Sequence, residues 1–157
     1  MTEGPLAPGA EALVLRPAVA EDAPGIAELY LTSFEAALPG IQLVHRPEQV
    51  RRWVRSALVE GGDSWVAELN GLAGFMTLSD GHVDQLYVAV GHWRQGIGSA
   101  LLDLAKALSH GPLELYTFQA NRPAVAFYLA HGFTIVAAGD GSGNEEHAPD
   151  YLLRWTP

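Results

Sequence analysis

The stretch VDQLYVAVGHWRQGIGSALLDLAKAL, residues 83–108, decides the fold. A strand-like run ends, a short loop carries Trp93, Arg94, Gln95, Gly96 and Gly98, and a helix follows at once. Glycine weakens a helix by roughly 1 kcal/mol relative to alanine. Two glycines at a helix mouth therefore call for an offsetting gain. Backbone N–H groups at a helix N-terminus lack partners and converge, and the helix dipole adds about half a positive charge there. Glycine lets an anion approach without a Cβ clash. RQGIGS thus suits a pyrophosphate cradle. On the loop alone, a helix start with glycines for close packing explains the stretch equally well.

Two familiar phosphate loops do not fit. A Walker loop needs Lys after its second glycine, and the dinucleotide fingerprint needs a third glycine where this chain has Leu101.

Working outward, the helix after the glycines carries Ile97, Leu101, Leu104, Ala105 and Leu108 on one face, and PLELYTF beyond it reads as a strand. Strand, helix, strand is a crossover, so the two strands should be parallel. Upstream, SWVAEL, LAGFMTL and HVDQLYVAV alternate with period two and are joined by Asn70-Gly71 and Asp80-Gly81. Both pairs read as type I′ hairpin turns, giving a three-stranded antiparallel meander. Before it, PEQVRRWVRSALVEGG reads as a helix with Val50, Trp53, Val54, Ala57 and Leu58 on one face, stopped by Gly61 and Gly62. ALVLRPA is a first strand. The helix after it has Asp22 as N-cap, Pro24 in its first turn, and Ile26, Leu29, Tyr30 and Ser33 or Phe34 as its stripe. NRPAVAFYLAHG is a further helix, and FTIVAA and YLLRW are closing strands around the acidic loop GDGSGNEEHAPD. The order β-α-α-β-β-β-α-β-α-β-β implies an α/β (mixed α+β) domain with helices on both faces of a central sheet.

Composition narrows the function classes. The 157 residues suit one domain, read as 12–157 behind a loose Pro/Gly/Ala-rich tail over 1–11. A formal charge of −9 argues against nucleic acid, which needs clustered Lys and Arg, and is compatible with a cationic substrate. There is no cysteine, so disulfides, thiolate metal sites and a cysteine nucleophile are excluded. No apolar run approaches the roughly 18 residues of a membrane span. The N-terminus lacks a basic region followed by an apolar one, so a cytoplasmic soluble protein is expected. The six histidines form no H-x-x-x-H pattern, and no metal is expected.

The chain resembles the GNAT superfamily of acetyl-CoA-dependent N-acetyltransferases. LYVAVGHWRQGIGSALL is similar to that family's acetyl-CoA motif, written Q/R-x-x-G-x-G/A. LYTFQANRPAVAFYLAHGF is similar to its N-x-x-A-x-x-x-Y-x-x-x-G-F segment, with Asn121, Ala124, Tyr128, Gly132 and Phe133 in place. The opening VLRPAVAEDAPGIAELY also looks like the family's first strand and helix, and the resemblance runs from about Leu13 to Trp155. One departure stands out: Trp93 occupies the usual Gln/Arg position, with Arg94 one place later.

The resemblance implies a mostly antiparallel sheet with one parallel strand pair and four helices on both faces. It implies acetyl-CoA as cosubstrate and direct transfer to a primary amine. Gly96, Ile97, Gly98 and Ser99 would present amides to the pyrophosphate, with Trp93, Arg94 and Gln95 around them and Arg94 against the adenosine 3′-phosphate. Leu86, Tyr87 and Val88, at an expected bulge, would pair with the pantetheine arm, and the Val88 amide would polarise the thioester carbonyl. Asn121 and Ala124 would meet pantetheine, Asn121 doubling as a helix N-cap. Phe127 would wall the site or belong to the core. Tyr128 would protonate the departing thiolate.

The base that deprotonates the amine is open between His82, Asp84 and Glu35. Acceptor specificity would come from the loop over residues 38–46 and from Glu145, Glu146 and Asp150, which favour a cationic amine if they face the cleft. Trp53 and Trp155 would lie in the core or at a homodimer interface. The competing function is a non-catalytic domain that binds acyl-CoA and regulates.

Overall fold

Each run read as a strand becomes one, and the inner strands offer their two faces to different helices. The computed structural model describes residues 12–61 and 63–157, so the tail expected over residues 1–11 and the glycine at 62 lie outside the described residues. The elements are β1 (Val14–Pro17), α1 (Ala23–Ala37), α2 (Pro47–Trp53), β2 (Asp63–Glu68), β3 (Leu72–Ser79), β4 (His82–Val88), α3 (Ile97–Leu108), β5 (Leu113–Phe118), α4 (Arg122–Ala130), β6 (Thr134–Gly139) and β7 (Asp150–Trp155). One seven-stranded sheet has the order β1-β2-β3-β4-β5-β7-β6. Every pairing is antiparallel except β4 with β5.

Alternation along the strands separates two cores. Val66 and Phe75 join Ile26, Tyr30 and Phe34 of α1 and Val50 of α2. Their chain neighbours Ala67 and Met76 join Ile97, Leu101 and Leu102 of α3 and Tyr128 of α4 on the opposite face. Full burial of such large apolar side chains contributes about 1.5–3 kcal/mol each. Trp53 and Trp155 pack at the margins of these two cores.

Four expectations change. Asn70 and Gly71 both have positive φ, as a type I′ turn needs, but at the second hairpin only Gly81 does, so Asp80-Gly81 is not type I′. Beyond Trp53 the second helix widens to π winding over Val54–Glu60. The wider turn buries Val50, Val54 and Leu58 at spacings of four and leaves Ala57 exposed. On α3 the buried set is Ile97, Leu101, Leu102 and Ala105, while Leu108 in the last turn is exposed. Asp22 is the residue before α1, but its carboxylate makes no bond into that helix. It accepts from the Val19 N–H and from both terminal nitrogens of Arg16, each at 2.8 Å.

The fold positions its site by letting β4 and β5 part. They register only at His82 and Glu114. From there the strands diverge, and α3 and α4 begin beside the opening.

Candidate active site

The opening is a cavity of about 510 Å³. It is lined by Leu86, Tyr87 and Val88 of β4, by the loop and first turn of α3 from His92 to Ser99 without Gln95, and by Asn121, Ala124, Phe127 and Tyr128 around α4. Ser33, Ala36 and Ala37 of α1 close one side, and Pro123 lies on the α4 wall.

On β4 the pairing slips by one residue between Gln85, opposite Thr77, and Val83, opposite Leu78. The extra residue is Asp84, so the bulge lies at Asp84 rather than at Leu86–Val88. It puts Val83 and Leu86, three apart, against the same core. Beyond it alternation resumes: Leu86 and Val88 face α3 and α4, and Tyr87 faces α1. Val88 pairs with Gly74 while the Ala89 N–H donates to the Ala73 carbonyl at 2.8 Å. That bond marks Val88 and Gly74 as a non-hydrogen-bonded pair, so the Val88 N–H and C=O both point away from β3 and toward the gap. The carbonyl is engaged by the Ser33 hydroxyl at 3.0 Å and by the Trp93 indole N–H at 2.9 Å.

The two glycines answer different needs. Gly96 is the N-cap of α3 with φ of 82°, and a Cβ there would meet nothing within 4 Å. It is required by its backbone, and it leaves the approach to the helix N-terminus open. At Gly98 a Cβ would lie 3.3 Å from Phe127 Cζ, so this glycine lets α4 close against α3. Close packing, one of the two expected explanations, applies at Gly98 and not at Gly96. Arg94, with φ of 65°, also takes the left-handed conformation, which turns the loop toward the helix mouth. Gln95 is exposed, its amide oxygen 3.0 Å from His92 Nδ1.

Asn121 caps α4, its side chain accepting from the Ala124 N–H at 3.3 Å. Tyr128 is buried against Phe127 and Phe133, at ring-centroid distances of 5.2 and 5.7 Å. Burial pushes its hydroxyl well above the ordinary phenol value. Tyr87 is raised in the same way. Tyr30, in edge contact with Tyr87 at 5.0 Å, is pushed up to about 12 by burial, with added repulsion from Glu146 and Glu145. These three side chains accept and donate no hydrogen bond within the described residues, and no buried polar atom among those residues is sealed without a partner.

Of the three residues considered for the base, none lines the cavity. Glu35 is exposed on α1. His82 sits where β4 and β5 are still paired, about 20 Å from Val88 at about 3.3 Å per residue, and Asp84 lies about 13 Å from Val88 by the same measure. His82 Nδ1 is 3.0 Å from Asp84 Oδ1, which also accepts from the Ser79 hydroxyl at 3.0 Å. The two loops expected to govern the acceptor do meet: His45 Nε2 lies 2.7 Å from Glu145 Oε2. Asp150 is held within its own loop by Asn144 at 3.3 Å.

Sequence reasoning passed over Ser33, His92 and His131. Ser33 carried a signal, a small polar residue in the buried stripe of α1. The imidazole of His131 binds the Ser99 hydroxyl, and nothing in a linear reading announces that pair. Among the described residues no group of three potential ligands could hold a metal ion, and no helix is long and apolar enough to cross a membrane.

This fold is shared with solved N-acetyltransferases. A GCN5-related N-acetyltransferase from Rhodopseudomonas palustris superposes with a TM-score of 0.78 at 21% identity, covering 98% of this chain and 100% of that one. The PaiA N-acetyltransferase of Thermoplasma acidophilum, solved in complex with coenzyme A, gives 0.71 at 19% identity, covering 94% and 100%. Residues 60–135 match the family model described as an acetyltransferase (GNAT) domain. The peptidyl-lysine N-acetyltransferase YiaC of Escherichia coli (strain K12) is 32% identical over 144 residues, which span 90% of this chain and 96% of YiaC. The chain belongs to the GNAT family and is an acyltransferase.

Proposed function

We propose that this chain, as one domain over residues 12–157, transfers an acetyl group from acetyl-CoA directly to a primary amine in a ternary complex. The observation that carries the reading is the gap between β4 and β5, with the Val88 N–H turned into it and the mouth of α3 at its end. The residues fit the cosubstrate. Gly96, Ile97, Gly98 and Ser99 offer N–H groups to the pyrophosphate, and Arg94 offers a cation beside them. Leu86, Tyr87 and Val88 give the pantetheine arm a strand edge, with Asn121, Ala124 and Phe127 opposite.

Acetyl-CoA supplies the activated thioester. The Val88 N–H donates to the oxyanion that forms when the amine attacks, a contact of a kind worth about 3–4 kcal/mol. Tyr128, kept protonated by burial, gives its proton to the departing sulfur. The amine arrives from the side of Tyr30 and Tyr87, under Glu146 and Glu145, whose negative charge favours an ammonium. Its proton leaves to water there, and His82 or Asp84 could receive it only along a chain of waters. The peptidyl-lysine specificity of YiaC makes a lysyl peptide the first acceptor to try.

The test is a thermal melt with acetyl-CoA, CoA, ATP and NADPH, followed by thiol release from acetyl-CoA in the presence of a lysyl peptide and small amines. A ligand at about 100 times its Kd adds about 2.7 kcal/mol, or roughly 5–10 °C in Tm for this size of chain. The expected result is such a rise with both CoA species only, and amine-dependent thiol release. No rise with either CoA species overturns the binding site. Binding without release across the amines overturns the transfer.

A further inference from the structure

His131 is not among the cavity-lining residues, yet it holds one that is. Its Nε2 lies 2.9 Å from the Ser99 hydroxyl in the first turn of α3, and its Nδ1 lies 2.7 Å from the Phe127 carbonyl. A carbonyl only accepts, so Nδ1 carries a proton in every charge state of the ring. In the neutral ring Nε2 is therefore a bare acceptor, and the Ser99 O–H must point at it. Ser99 then turns only lone pairs toward the cavity, the wrong face for a phosphate oxygen.

Protonation reverses the chain. With a proton on Nε2 the imidazolium donates to Ser99 Oγ, and the Ser99 O–H is released to donate into the cradle. We infer that His131 is a positioning residue of the pyrophosphate cradle, and that filling the cradle draws one proton from solvent onto its Nε2. The inference rests on the cradle assigned under the proposed function. No covalent bond to the ligand forms. One proton is taken up, and one hydroxyl hydrogen changes its acceptor from Nε2 to a phosphate oxygen.

His131 is the C-cap of α4. Against it from α3 stands Lys106, whose ammonium donates to the His131 carbonyl at 2.6 Å and lies over the rings of Phe133 and, on β7, Trp155. On α4 itself the Phe127 ring centroid lies 4.3 Å from that of His131, the planes tilted by 36°. Among the described residues no carboxylate pairs with the His131 ring. His92 also lines the cavity and is the other imidazole that a bound anion would reach.

The test is calorimetry of dephospho-CoA binding in two buffers of different ionisation enthalpy. Dephospho-CoA lacks the 3′-phosphate, and its pyrophosphate diester does not titrate near neutrality. Wild-type protein and Ser99→Ala are compared, so any uptake at His92 is common to both. The expected result is proton uptake near neutral pH in the wild type that falls in Ser99→Ala. Wild-type affinity should also weaken about tenfold between about pH 6 and about pH 8.5, the worth of one hydrogen bond to a charged group. His131→Gln, which offers an amide donor that does not titrate, should bind with a flatter pH profile. Binding without uptake in the wild type, or uptake unchanged in Ser99→Ala, overturns the inference and leaves the cofactor site standing. Failure of dephospho-CoA and acetyl-CoA alike to bind at any pH overturns the cofactor site, and with it this inference.

Discussion

The Trp93 indole nitrogen donates to the Val88 carbonyl oxygen at 2.9 Å, beside the Ser33 hydroxyl, which donates to the same atom at 3.0 Å. The carbonyl of the residue proposed to hold the oxyanion is thus pinned from two elements, and its N–H is left for the ligand. The side chain that replaces the family's usual Gln or Arg braces the strand. Trp93→Gln is therefore expected to lower stability by about 1 kcal/mol, or about 2–4 °C in Tm, with the acetyl-CoA Kd changed by less than about threefold. Calorimetric Kd values and thermal melts check this. A loss of affinity beyond about tenfold would mean that the Trp93 side chain itself holds the cofactor.

Gly96 and Gly98 should respond differently to alanine. Gly96 has φ of 82° with open space around it, so Gly96→Ala strains the backbone by about 1–2 kcal/mol and should lower Tm. Gly98 has an ordinary φ, and a new Cβ would press on Phe127 at 3.3 Å. Helix propensity favours alanine there by up to about 1 kcal/mol. The Phe127 ring borders the cavity and can yield into it. Gly98→Ala is expected to leave Tm within about 2 °C while weakening acetyl-CoA about tenfold, an effect on the site rather than on the fold. A drop in Tm with unchanged affinity would contradict this.

These glycines also mark what could be read along the chain. Local rules placed the elements in their order, because periods of two and 3.6 and an Asn-Gly turn are written in neighbouring residues. The crossover from β4 to β5 was legible too, since a helix between strands constrains their direction. The bulge at Asp84 was not legible, because it depends on which residue of β3 lies opposite. Neither was the π winding after Trp53, which follows the packing of Val54 and Leu58. The lining of the cavity was largely legible through motifs. Ser33 and His131 were not, since each acts across the fold on a residue at least thirty positions away, Val88 and Ser99 respectively.

Asp22 ties the start of α1 to β1 through Arg16, which also binds Glu68 on β2 at 2.9 Å. The Arg16 guanidinium, with help from the Val19 N–H, holds the Asp22 carboxyl below its ordinary range against the opposing effect of burial. A depressed folded value means stability that is fully present above the unfolded value, about 3.9 for Asp, and is lost as pH falls through the folded value. Asp22→Asn keeps an oxygen for the Val19 N–H and removes the charge. It should cost about 1–2 kcal/mol at neutral pH, and the difference from wild type should close below about pH 4. Denaturant melts across that range check it. A difference that persists at acid pH would place the effect in packing.

Tyr128 separates chemistry from binding. Its ring is packed between Phe127 and Phe133, and its hydroxyl makes no hydrogen bond that phenylalanine would forfeit. Tyr128→Phe is therefore expected to fold with wild-type Tm or slightly above and to bind acetyl-CoA with little change. If the hydroxyl delivers the proton to sulfur, turnover should fall by about 10²–10⁴-fold, the usual range for a general acid. Because burial raises the hydroxyl well above the ordinary phenol value, the proton stays in place through neutral and mildly alkaline pH. The wild-type rate should then show no alkaline decline attributable to Tyr128 below about pH 10. Thiol release measured against pH for both proteins decides the matter, and unchanged turnover in Tyr128→Phe would remove this residue from the reaction.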